Sequence, residues 1–152
     1  MRRGFSLTEL LVVVAIIAVL SAIAIPAWTT TQHMAKRAEV PSNVDAIRVA
    51  ELSYHAAHDT FVAEGSWYPQ ALGLGADKEL KAWPAADSAG GFSTIGWVPH
   101  GEVRGAYSIP VGDETTFEVQ GACDVDGDGD SALYWCTESE ACGWDAGDEG
   151  VF

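Results

Sequence analysis

The chain has 152 residues, and its 22 acidic side chains outweigh 8 basic ones, for a formal net charge of −14. No Lys or Arg follows Asp113. A surface of that sign repels phosphate backbones and attracts cations, which excludes nucleic-acid capture as a role.

Arg2 and Arg3 stand in front of Gly4, Phe5, Ser6, Leu7, Thr8 and Glu9. From Leu10 to Ile25 the only polar side chain is Ser21. Such a run is predicted to be a helix that hides its surface in lipid or among copies of itself. Counted from Phe5 to Trp28 it amounts to about 24 residues and ~36 Å, enough to cross the hydrocarbon core of a bilayer. Glu9 is the anomaly, because a carboxylate within a membrane helix costs free energy unless it has a designated partner.

The stretch Arg2-Arg3-Gly4-Phe5-Ser6-Leu7-Thr8-Glu9-Leu10 resembles the class III prepilin N-terminus of the type IV pilins and of their relatives, the pseudopilins of type II secretion. The resemblance implies a leader of residues 1–4, removed by prepilin peptidase between Gly4 and Phe5, and methylation of the new N-terminal Phe5. It also implies a membrane and filament-core helix over 5–28 and a globular head over 29–152. Once Phe5 carries a free α-amine, the Glu9 carboxylate of one subunit can neutralise the amine of its neighbour and set the stacking register. An unpaired charge there disfavours isolated insertion relative to assembly. An ordinary secretory signal peptide is the alternative, with Ala22-Ile23-Ala24 as its small-residue cleavage site. That alternative leaves Glu9 and the block before it unexplained.

Pro26 and Pro41 predict kinks. Val40, Val44, Ile47, Tyr54, Ala57 and Phe61 recur at three- or four-residue steps, with Ala50 between them. Arg48, Glu51, His55 and Asp59 fall on another side. The expectation is one long, gently bent helix from about Ser6 to about Ala63, ended by Gly65, with an apolar first half and an amphipathic second half. The chain then reads as irregular over 66–91, with a helical turn at 78–81. Runs 92–98, 104–111, 115–120 and 131–136 read as strands, with Pro110 marking an edge or a strand end. The fold class is therefore α+β, a long helix packed on about four antiparallel strands, as in pilins. The block 92–107 is also similar to the heads of pilin-like proteins from deltaproteobacteria.

Asp124, Asp126 and Asp128 occupy positions 1, 3 and 5 of a loop whose sixth residue is Gly129, the spacing by which short loops supply oxygens to Ca²⁺. Asp130 follows at position 7. Position 12 is Trp135 rather than a bidentate Glu, so a distal ligand must come from Glu138 or Glu140. A solvated acidic turn is the alternative. The pseudopilin relatives include calcium-stabilised heads, which favours a structural Ca²⁺. Glu51, His55 and His58, at i, i+4 and i+7, form a second, weaker metal set.

Three cysteines lie close together, and an exported chain would pair two of them. Cys136 with Cys142 is favoured, and Cys123 with Cys142 is the rival. No nucleophile motif, phosphate loop or paired catalytic acids stand out, so an enzyme is not expected. The implied role is a filament subunit made as an inner-membrane precursor and displayed at the cell surface, or in the periplasm for a pseudopilin. Its partners would be copies of itself, other pilins, prepilin peptidase and the assembly machinery. Minor pilin and pseudopilin are the neighbouring readings, and a secreted calcium-binding module is the reading from another class.

Overall fold

A computed structural model describes residues 5–69, 78–85 and 89–152. The chain divides into two units, one ending at Met34 and one running from Ala35 to Phe152.

Among the described residues the first unit is helical from Leu7 onward. Helix α1, Leu7–Arg37, carries Pro26 inside it. Pro26 has no N–H to offer the preceding turn, and the helix continues past it without a break. Just beyond, the hydroxyls of Thr29 and Thr30 donate to the Pro26 carbonyl at 2.9 and 3.1 Å, and that of Thr31 donates to Ala27 at 2.9 Å. These three otherwise lone polar groups are thereby satisfied within the helix itself. From residue 5 to residue 32 every side chain is exposed except that of Ser21, which is half-buried.

Helix α2, Glu39–His58, follows a single turn residue, Ala38. The predicted single helix is therefore two, and Pro41 explains the break. Its ring displaces the carbonyl four residues back, that of Arg37, and it has no N–H to bond there. As the third residue of α2, Pro41 removes only a donor that a helix start leaves unpaired anyway. α2 stops at His58, well short of Ala63. Asp59 takes the left-handed conformation (φ 55°), and its N–H donates to the His55 carbonyl at 2.8 Å. That is the helix-ending geometry more often given to glycine.

Five antiparallel strands follow in the order β1 to β5, each beside its sequence neighbour. They are β1 (Glu64–Tyr68), β2 (Ala106–Gly112), β3 (Phe117–Cys123), β4 (Ala132–Thr137) and β5 (Gly143–Trp144). Three of the four predicted strands are found, as β2, β3 and β4. The run 92–98 is not a strand: Gly90–Thr94 form a short helix, α3. β1 and β5 lie where no strand was expected. Residues 78–80 make no helical turn, and Lys81 instead exchanges backbone hydrogen bonds with Val103 at 2.7 and 2.9 Å. Pro110 stands inside β2, which has a neighbour on each side, and the pairing with β3 slips between Ser108 and Val111 to absorb the missing donor.

The core lies between α2 and the sheet. Val40, Val44 and Ile47 are fully buried from the helix, and Tyr107, Ile109, Phe117, Val119 and Cys136 from the strands. Gly121, opposite Tyr107 in the ladder, lets the helix come close: a Cβ there would stand 2.7 Å from both Val40 Cγ1 and Val44 Cγ2. A second cluster joins Tyr68, Trp83, Phe92, Trp97 and Tyr107, with neighbouring ring centroids 5.2 to 6.2 Å apart. Phe92 and Trp97 both enter it from the α3 turn, which is why that aromatic, β-branched run coils instead of extending.

Candidate assembly and cation sites

Gly4 lies outside the described residues. Phe5 is exposed, and from Ser6 the chain enters α1 through a reciprocal cap. The Ser6 N–H and Ser6 hydroxyl both donate to Glu9 Oε2 at 2.9 Å, and the Glu9 N–H donates back to Ser6 Oγ at 3.2 Å. Ser-x-x-Glu at a helix start is the capping box. The Ser6–Glu9 spacing stands in the sequence beside the charge that Glu9 offers a neighbouring amine. The structure gives it a task inside its own chain as well. Behind it, α1 is long and apolar enough to cross a membrane.

At the other end of the chain, the β3–β4 connection is shaped by its aspartates. Asp124, though buried, accepts from the Gly127 N–H at 2.6 Å and the Gly129 N–H at 3.0 Å. Gly127 and Gly129 have φ of 78° and 99°, a region closed to most side chains, so the loop can wrap around that carboxylate. Asp126 accepts from Asp128 N–H at 3.3 Å and Asp128 from Asp130 N–H at 2.9 Å. Carboxylate oxygens of Asp124, Asp126 and Asp128 lie within 4.8 Å of one another. The side chain of Asp130 does not join that group. Glu138 cannot serve as a distal ligand either, because it sits beyond the far end of β4. There it accepts from the Thr116 hydroxyl at 2.8 Å and the Phe117 N–H at 3.3 Å. Glu140, two residues further on, is equally distant in the chain's path. The neighbours actually present are Phe152, whose carbonyl accepts from the Asp126 N–H at 3.1 Å, and Lys78, whose side chain passes Gly127.

The prokaryotic N-terminal methylation motif matches residues 1–25. Over 109 residues the chain is 32% identical to the type IV major pilin protein PilA of Myxococcus xanthus (strain DK1622). It is a type IV pilin-like protein. The alignment covers 72% of this chain and 44% of the relative, so the chain spans less than half the length of the pilin it matches.

In this pilin-like head Cys136 is bonded to Cys142, and Cys123 is free and buried. Burial pushes the Cys123 thiol up to about 11, so it stays protonated and inert at neutral pH. The disulfide closes the turn that returns the chain to β5, where Trp144 pairs with Tyr134. The Arg37 guanidinium lies 3.5 Å over the Trp144 ring and donates to the Asp148 carbonyl, while Asp148 accepts from the Leu133 N–H at 2.9 Å. A two-residue strand is thus held by a covalent bridge, a cation–π contact and ladder bonds together.

The Glu51, His55, His58 set does not converge. The His55 ring stacks on Phe61 at 4.2 Å and the His58 ring on Tyr54 at 4.1 Å. Glu51 points the opposite way from its expected polar side: it is fully buried, continuing the Val40, Val44, Ile47 stripe. Its Oε2 accepts from the Val62 N–H at 3.1 Å, and its Oε1 has no partner among the described residues. Burial drives its carboxyl up to about 7, against the smaller downward pull of the Val62 amide.

Proposed function

We propose that this chain is the structural subunit of a type IV pilus-like filament, cut between Gly4 and Phe5 by prepilin peptidase and polymerised through α1. The observation that carries this reading is a helix start capped by Glu9 that leads into an apolar surface exposed along its whole length. A helix surface this apolar is driven out of water, so its burial would come from lipid before assembly and from other subunits after it. The inner membrane would then hold the precursor, and the cell surface the filament. Likeness to a major pilin favours a pilus over a secretion pseudopilin. In either case the role is structural rather than catalytic.

The residue before the scissile bond must fit the peptidase closely, and glycine presents no side chain. Gly4→Leu is expected to leave a full-length membrane precursor, read as an intact mass that still includes Met1 to Gly4. Cleavage of this variant at the parental rate would place the cut elsewhere.

A structural calcium ion is the second part of the proposal. The donor set supports it: three hard carboxylate oxygens from one loop suit Ca²⁺ better than a softer metal, and water would complete the shell. Saturation at a hundred times Kd adds about 2.7 kcal/mol by mass action, or roughly 10 °C in Tm for a head of this size. The full chain in detergent should melt that much higher with calcium than with chelator, and magnesium should do far less. Asp126→Ala is the informative variant, since Asp126 contributes only the weak 3.3 Å turn bond, whereas Asp124 organises the whole loop. It should erase the calcium increment and leave the chelated Tm within a degree or so of the parent. A parental Tm indifferent to millimolar calcium makes the loop an acidic turn.

A further inference from the structure

The core of the head contains one group that hydrophobic packing does not explain. Glu51 occupies the helix position that should carry an aliphatic residue, has no exposed surface, and leaves Oε1 without a hydrogen-bond partner among the described residues. Its other oxygen reaches across to the chain segment that leaves α2 and enters β1, holding the Val62 N–H. That segment is otherwise lightly fastened. Phe61 N–H donates to the Asp113 carbonyl at 2.8 Å, and the Phe61 ring rests on His55 and Phe117. β1 behind it is an edge strand, with β2 its one ladder partner among the described residues.

We propose that Glu51 is a proton-operated latch on this junction. Protonated, it stays in the core and holds Val62 in place. Ionised, it is drawn toward water and lets residues 59–63, with β1 behind them, open away from the sheet.

Among the described residues no basic side chain hydrogen-bonds to Glu51. Arg48, one turn earlier on α2, spends its guanidinium on the carbonyls of Thr137 and Glu138 at 3.1 and 3.2 Å. His55, one turn later, is stacked on Phe61 and within 3.3 Å of the Glu114 carbonyl. From the β2–β3 turn, the Asp113 carboxylate accepts from Thr115 and Thr116, and Glu114 is exposed. After β4, Glu138 is committed to Thr116 and Phe117. At the start of β1, Glu64 accepts from Ser66 and Gly91. None of these acids offers a counter-charge to a carboxylate at Glu51. A protonated carboxyl with an idle hydroxyl costs less in the core than a buried anion without a cation.

The sign of the linkage follows. Because burial raises the folded value to about 7 from 4.5, this group's contribution to stability is complete below about pH 4.5 and is lost as pH rises through about 7. Opening the junction releases the carboxylate without disturbing β2 to β5, so the loss is local before it is global.

Amide hydrogen exchange on the full chain in detergent micelles tests this. After correction for the intrinsic pH dependence of exchange, protection at Val62 and through β1 should fall at least ~10-fold between about pH 5.5 and about pH 8.5. Protection in β3 should change by less than about threefold over the same range. Glu51→Gln keeps the size and an acceptor for Val62 but cannot ionise, and its junction protection should be flat with pH. Parental protection that is already flat, or a glutamine variant that tracks the parent, overturns the latch. If Glu51→Gln does not fold, the Glu51 carboxyl carbon of the parent decides by NMR. An inflection near neutrality that moves with the Val62 amide supports the latch, and an inflection below about pH 5 overturns it.

Discussion

Glu9→Val is expected to enter the membrane at least as well as the parent chain and to yield almost no filament. Insertion improves because an acid is exchanged for an apolar group on a helix that, in the proposed precursor, lies in hydrocarbon. Assembly fails because the α-amine of the neighbouring Phe5 loses its counter-charge in an environment without water. Breaking a buried ion pair by removing one partner costs about 3–5 kcal/mol, so filament yield should fall on the order of 100-fold or more. The capping box complicates the valine result, since Glu9 also accepts from the Ser6 N–H and hydroxyl. Losing that cap costs about 1 kcal/mol of helix stability on its own. Glu9→Gln separates the two effects, because glutamine can retain the capping-box geometry but carries no charge. With membrane levels of all three chains matched, the glutamine variant should assemble as poorly as valine. Parental yield from glutamine would assign Glu9 to capping and sink the charge-pairing role.

Gly121→Val should be the most damaging single change in the head. Residue 121 faces α2, and a Cβ would already stand 2.7 Å from methyl groups of Val40 and Val44, with Tyr107 Cδ1 at 3.3 Å. Two further methyls must either push the helix from the sheet or force rotamers off their minima. Overpacking of this kind costs about 3 kcal/mol, which lowers Tm by roughly 10–15 °C. The partner is identifiable, so the cause can be checked by restoring space. Val44→Ala alone should cost about 2 kcal/mol as a cavity, but combined with Gly121→Ala it should cost less than the sum of the two single changes. Additive costs would show that the sheet does not need this glycine for close approach.

The apolar helix α1 was legible because Ser21 is the only polar residue between Leu10 and Ile25. β2, β3 and β4 were legible as apolar alternation bounded by Gly, Pro and Asp. Helix α2 was readable up to Ile47, and then the pattern misled. Glu51 was assigned to the wet side of the helix because carboxylates usually belong there. The spacing from Val44 and Ile47 places it in the core instead, and only the tertiary partner at Val62 reveals why it is tolerated. The helix end was hidden for a similar reason. Gly65 looked like the stop, yet Asp59 takes the left-handed turn, a choice its short side chain permits but does not advertise. β1, Glu-Gly-Ser-Trp-Tyr, has no alternation to read and becomes a strand only because β2 offers it an open edge. β5 is two residues long and exists through the Cys136–Cys142 bridge and the Arg37–Trp144 contact. Asp124, Asp126 and Asp128 do cluster in the β3–β4 connection, but the proposed distal acids fall at the wrong end of β4. Spacing along a chain cannot show which end of a hairpin a residue reaches.

The central claim, that the chain is trimmed after Gly4 and built into a filament through α1, is tested most directly by the intact mass of the subunit recovered from sheared surface filaments. The account predicts a chain that begins at Phe5, carries one methyl group on its α-amine, and retains the Cys136–Cys142 bond. A filament fraction without this chain, or a secreted form that begins near Ile25, would contradict it.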